Sequence, residues 1–176
     1  NRVIAVARTG KHASFAFVPP DIVYSDDCVV FASDSAALFA TLSSSIHYTW
    51  ILKYLTTRGT TIRYSVSKIM NTFPCVNSSL VTDEMGERYH EHRRQLMLSL
   101  WLGLTDIYNI FHARDLETAL KKHYQTRLKR DPQGLKIPME YRALVLAFTY
   151  DQALEGIQEL RRLHVSLDTA VRDAYG

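Results

Sequence analysis

The stretch from Leu38 to Pro74 constrains this chain most. Leu38, Phe39, Leu42, Ile46, Tyr48, Trp50, Ile51 and Tyr54 recur mostly three and four residues apart, which predicts one helix with a wide apolar stripe. Ala40, Thr41, Ser43, Ser44 and Ser45 fill the other positions. Small side chains let other backbone approach closely, so the helix is expected to lie against a sheet. Leu55 to Thr61 then holds no acidic residue, and Arg58 and Arg63 bracket Gly59-Thr60-Thr61. Two guanidiniums on a short loop beside a buried helix suit an anion or the edge of a guanine. A solvated turn would look the same at this level.

Before this stretch, Val3–Arg8 and Ser14–Val18 are strand-like and predict a hairpin around Thr9-Gly10-Lys11-His12. Its tip carries Arg8, Lys11 and His12 with no acid beside them, a charge pattern that suits phosphate contact or a merely soluble turn. A third strand is expected at 28–32, after the polar step Ser25-Asp26-Asp27. Asp26 and Asp27 could accept from a cytosine amino group, or sit on an exposed turn. Ser33-Asp34-Ser35 is a cap cluster for the central helix. Ser65 is expected to cap a short helix over 66–71, which carries Lys68 and stops at Phe73-Pro74.

Beyond a polar linker at 75–79 the apolar period is helical. Thr82, Asp83 and Glu84 open a long helix that Gly103 is expected to break. A charged helix follows over 115–129, then a turn at 130–134, a helix over 138–148 and a final helix over 151–175. Leu154, Ile157, Leu160, Leu163, Leu167 and Val171 form the buried stripe of that last helix. The basic run Lys121-Lys122-His123 and Arg127-Lys129-Arg130 suits either a phosphate backbone or a solvated helix face. The expected fold class is α+β. Residues 1–76 are read as part of a small β-rich domain with one buried helix, and residues 77–176 as a mainly α-helical bundle.

Composition narrows the classes of function. The chain is 47% hydrophobic and 22% charged, which predicts a folded globular protein. A net charge of +3 is compatible with nucleic acid without requiring it. Residues 1–65 carry six Lys/Arg against four Asp/Glu, so any DNA contact must come from local placement. Two cysteines make no disulfide framework and suit a reducing cytoplasm. No apolar run reaches the ~18 residues of a membrane span, and no signal peptide opens the chain. The chain begins Asn1-Arg2-Val3, which reads as a piece of a larger protein.

Several chemistries lack their residues. There is no G-x-G turn for a nucleotide-like cofactor, and Val18-Pro19-Pro20-Asp21 lacks the Asn or Asp and the aromatic that flank the paired prolines of adenine methyltransferases. Glu84, Glu87 and Glu91 have no partner lysine in nuclease spacing. His90 and His92 stand two apart, on different helix faces, so no zinc site is expected. No catalytic or metal-binding residue is assigned, and no cofactor is expected within these residues.

One resemblance covers most of the chain. Leu42, Ser44, His47 and Trp50, then Arg63-Tyr64-Ser65, then Phe73-Pro74, resemble the "L-x-S-x-x-H-x-x-W", "R-Y-S" and "F-P" series of MmeI-like fused restriction-modification DNA methyltransferases (type IIG/IIL). Residues 85–112 and 160–176 resemble the helices that end those proteins, and 115–148 looks like an insertion. The resemblance implies that residues 1–76 belong to a DNA target-recognition domain and 77–176 to a C-terminal helical domain. It further implies a prokaryotic, cytoplasmic parent that methylates adenine N6. The S-adenosylmethionine site and the methyltransferase domain would lie upstream, and a nuclease could be fused. The partner would be double-stranded DNA, with no membrane. In the family a Lys-Ser-Asp-like charged pair stands two and four residues before the arginine; here Thr61 and Gly59 stand there. The departure leaves Arg58, Thr60 and Arg63 as the expected contacts of that loop; with Arg8, Lys11, His12, Asp26, Ser65 and Lys68 they make up the expected DNA-binding set. The competing expectation is a helical protein-interaction module without nucleic-acid binding, which an exposed apolar stripe would mark. A small intact enzyme is a third, which the missing motifs disfavour.

Overall fold

The computed structural model describes residues 1–54, 61–75 and 83–176. Among them the class is α+β, as expected. Two compact units are present: residues 1–90 with 164–176, and residues 91–163. The sequence boundary expected after residue 76 separates strand-rich from helix-rich chain. By compactness, residues 83–90 and 164–176 instead group with the strands.

The first unit is built on β1 (Val3–Ala7), the centre of a three-stranded antiparallel sheet. It pairs with β3 (Ala16–Val18) in the register Ile4↔Phe17 and with β4 (Cys28–Phe31) in the register Val6↔Val29. Ile4, Ala5 and Val6 are all buried, so the central strand is apolar on both faces. The turn after β1 holds a feature the hairpin reading did not contain. Thr9–Gly10 form β2, which pairs antiparallel with β5 (Ile62–Arg63).

The central helix expected over residues 38–54 is two helices. α1 (Ala36–Ser43) and α2 (Ser45–Tyr54) part at Ser44, whose backbone is extended at φ −70 and ψ 155. Ser44 Oγ donates to the Thr41 carbonyl at 2.7 Å and accepts from the His47 amide at 3.2 Å. A serine side chain that bonds the backbone on both sides offers an alternative to the helical ladder. Residues near the chain's end secure the break: the Ser45 amide donates to Asp168 at 2.7 Å. The apolar spacing survived the break, which is why periodicity alone did not show it.

α1 lies against the sheet as its small residues predicted. Phe39 stacks on Phe17 with ring centroids 4.7 Å apart, and Ala36, Ala37 and Ala40 are buried. Ser35 caps α1 through Leu38 N at 3.1 Å, and Asp83 accepts from Ala37 N at 2.7 Å. α3 (Val66–Ile69) is shorter than expected, and Ser65 stands at its cap position without making the capping bond. Its hydroxyl lies 3.4 Å from that of Ser67 instead.

The second unit is helical. α4 (Asp83–Leu100) stops where Trp101 adopts a positive φ of 52, and Gly103 precedes α5 (Leu104–Phe111). α6 (Leu116–Arg130) is capped by Asp115, which accepts from Thr118 N at 3.0 Å. A turn with Gly134 at φ 65 leads to α7 (Met139–Ala147) and then α8 (Tyr150–Asp173). Within this unit Arg161 donates to the carbonyls of Phe111 and Ala113, at 2.9 and 2.6 Å, and satisfies the end of α5. Leu96, Leu100, Ile107, Leu120, Val145, Ile157 and Leu160 form its core. Of the stripe expected on the last helix, Leu154 is only half-buried, and Ala153 takes its place inside. Among the described residues no helix is long and apolar enough to cross a membrane. Both cysteines are free.

Candidate nucleic-acid interface

The β2–β5 ladder joins two segments that sequence reading treated as separate. Thr9 pairs with Arg63 and Gly10 with Ile62. The Tyr64 amide donates to the Arg8 carbonyl at 2.8 Å and extends the pairing by one residue. Cross-strand partners share a face, so exposed Thr9 and exposed Arg63 stand side by side while Ile62 is buried. Among the described residues no carboxylate pairs with Arg63. In particular, neither Asp26 nor Asp34 does.

Arg8 is partly committed to the fold. Its Nε donates to the Asp26 carbonyl at 2.6 Å, and its amide donates to the Asp27 carbonyl at 2.6 Å. Arg8 therefore ties the Asp26 turn to the ladder, and Asp26 itself is exposed. Lys11 is exposed and His12 half-buried just beyond β2. Ser65 follows β5 by two residues, and Lys68 lies exposed on α3. The structure thus gathers Arg8, Asp26, Lys11, His12, Arg63 and Ser65 around one short ladder, with Lys68 a helical turn further on. Arg58 and Thr60 lie outside the described residues. Thr9 was missed by sequence reading. Nothing local marks it, because its position follows from a partner 54 residues away.

Beneath Arg63 the chain is aromatic. Tyr64 is buried and meets Phe15 edge-on at 5.6 Å. Its hydroxyl shares a 3.1 Å hydrogen bond with His47 Nε2. The His47 ring meets Phe73 at 4.4 Å, Trp50 meets Phe73 at 6.0 Å, and Trp50 Nε1 donates to Thr72 Oγ1 at 3.1 Å. Burial lowers the His47 pKa to about 4, so the ring is neutral in the folded chain. Burial, and then the Cys75 thiol, push Tyr64 above the ordinary phenol range. His47, Trp50, Tyr64 and Phe73 are therefore the platform that holds the ladder, and Arg63 and Pro74 are the exposed motif residues.

Residues 4–77 match the family model of the MmeI target recognition domain. The matched segment carries both strands of the Thr9–Arg63 ladder and the aromatic platform beneath it. This N-terminal part is similar to an MmeI target recognition domain. No curated protein and no solved structure matches the chain. Within the matched segment the motif histidine, tryptophan, tyrosine and phenylalanine pack together, and Thr9, Lys11 and Arg63 around β2 and β5 are exposed.

Proposed function

We propose that this chain supplies DNA sequence recognition to a site-specific adenine-N6 methyltransferase of a restriction-modification or phage-defence system. The observation that carries the reading is the β2–β5 ladder. It presents an arginine that has no carboxylate partner among the described residues, next to Thr9, Lys11 and Arg8, inside the segment that matches a target recognition domain. A guanidinium offers a planar fork of donors that suits guanine O6 and N7, and cations nearby hold phosphate. S-adenosylmethionine binding and methyl transfer belong, in this proposal, to an upstream domain of the same protein. Residues 1–176 alone should take up no S-adenosylmethionine. Stoichiometric cofactor binding to them in a calorimeter would contradict this division of labour.

Arg63→Ala tests the reading directly. In the full-length enzyme it should cost about 1–3 kcal/mol of binding and relax one position of the recognised sequence. Methylation mapping beside a duplex-binding titration reads both effects. A fall in affinity equal for all sequences, with a salt slope smaller by about one unit, would assign Arg63 to phosphate. Unchanged affinity and an unchanged motif would remove it from the site.

A protein contact is the second reading for residues 91–163. Leu128, Leu135 and Met139 are 56%, 66% and 82% exposed there. Duplex binding that is absent at every salt concentration would favour that reading over the first.

A further inference from the structure

The second unit carries a charged face that the target-recognition segment does not account for. α6 turns Leu116 and Leu120 inward. Lys122 and Lys129 stand seven residues apart, two turns on one face, with Arg130 adjoining; all three are exposed. The cations span roughly 10–12 Å along the helix, several phosphates of a DNA strand.

The acids that flank these cations along the chain, Asp115, Glu117 and Asp131, have other partners. Asp115 caps the helix through Thr118 N at 3.0 Å and Thr118 Oγ1 at 2.7 Å. Glu117 pairs with Lys121 at 3.4 Å. Asp131 accepts from the amides of Leu135 and Lys136, at 2.8 and 2.9 Å. Arg127 faces elsewhere, with Nη1 on the Val145 carbonyl at 3.1 Å and its guanidinium over the Tyr124 ring. Among the described residues Lys122, Lys129 and Arg130 have no carboxylate partner. Lys129 and Arg130 lie in the last turn, where the helix dipole favours cations. Lys122 lies in the middle of the helix, where the dipole gives it no such reason.

We propose that the Lys122, Lys129 and Arg130 face of α6 contacts the phosphate backbone of duplex DNA without reading its sequence. The proposal rests on the DNA-recognition reading of residues 4–77 and adds a second, independent contact to it. Its test is K122Q/K129Q/R130Q in the full chain, since glutamine keeps helix propensity close to that of lysine and arginine. Binding to a mixed-sequence duplex is followed by fluorescence anisotropy over a salt series. Affinity should fall roughly 10- to 100-fold at low salt, and the salt slope should shrink by about two to three units, with sequence preference unchanged. Should the triple variant melt early, K122Q alone should still lower the slope by about one unit. An unchanged slope overturns the proposal; if R63A still alters sequence preference, the reading of residues 4–77 stands without it. No duplex binding by the unsubstituted chain overturns both. Loss of binding to poly-glutamate with duplex binding intact would assign the face to an acidic protein and overturn the proposal.

Discussion

Gly86→Ala is expected to destabilise the first unit by roughly 2–3 kcal/mol and to lower its melting temperature by about 5–10 °C. A Cβ at residue 86 would lie 2.0 Å from the Ala36 carbonyl oxygen and 2.6 Å from its carbon. Those are backbone atoms at the start of α1, so no side chain can swing aside. The alanine would gain about 1 kcal/mol of helix propensity, which the overlap outweighs. Relief requires α4 to move off α1, which also breaks the Asp83 bond to Ala37 N. Thermal melting checks this, and a variant as stable as the parent would show that the two helices are not in this contact. Larger residues at 86 should be worse than alanine.

Acidification should act through His47. Its folded pKa is about 4 and its unfolded value is near 6.5, so between these limits the unfolded chain binds the extra proton. Stability from this group is therefore complete above about pH 6.5, falls as pH drops towards 4, and levels off below. The full loss is roughly 3 kcal/mol. Denaturant titrations at pH 7 and pH 4 on the parent and on His47→Gln isolate the effect from the carboxylates. The parent should lose roughly 3 kcal/mol more than the variant. Equal losses would show that the ring is not held neutral by burial. The consequence reaches the candidate site, because His47 holds Tyr64, and Tyr64 follows Arg63 in the chain.

What the sequence determined by itself was local. Apolar period and chain punctuation placed β1, β4, the Ser35 cap, the helix α6 (Leu116–Arg130), the Gly134 turn and the long last helix. These depend on neighbours within a few residues, where spacing and cap chemistry carry the information. The same local signals marked Arg8, Lys11 and Arg63 as charged positions on turns. They could not show that Ser44 divides the central helix, because its hydroxyl competes with the backbone while the apolar spacing continues. The pairing of Thr9 with Arg63 belongs to tertiary structure alone. Two-residue strands have no periodicity to detect, and the paired residues lie far apart in the chain. Burial of His47 against Tyr64 and Phe73, and the close approach of Gly86 to Ala36, likewise depend on segments far apart in the chain. Residue type and order thus supplied the cations of the candidate interface, and long-range packing decided which of them share one exposed ladder.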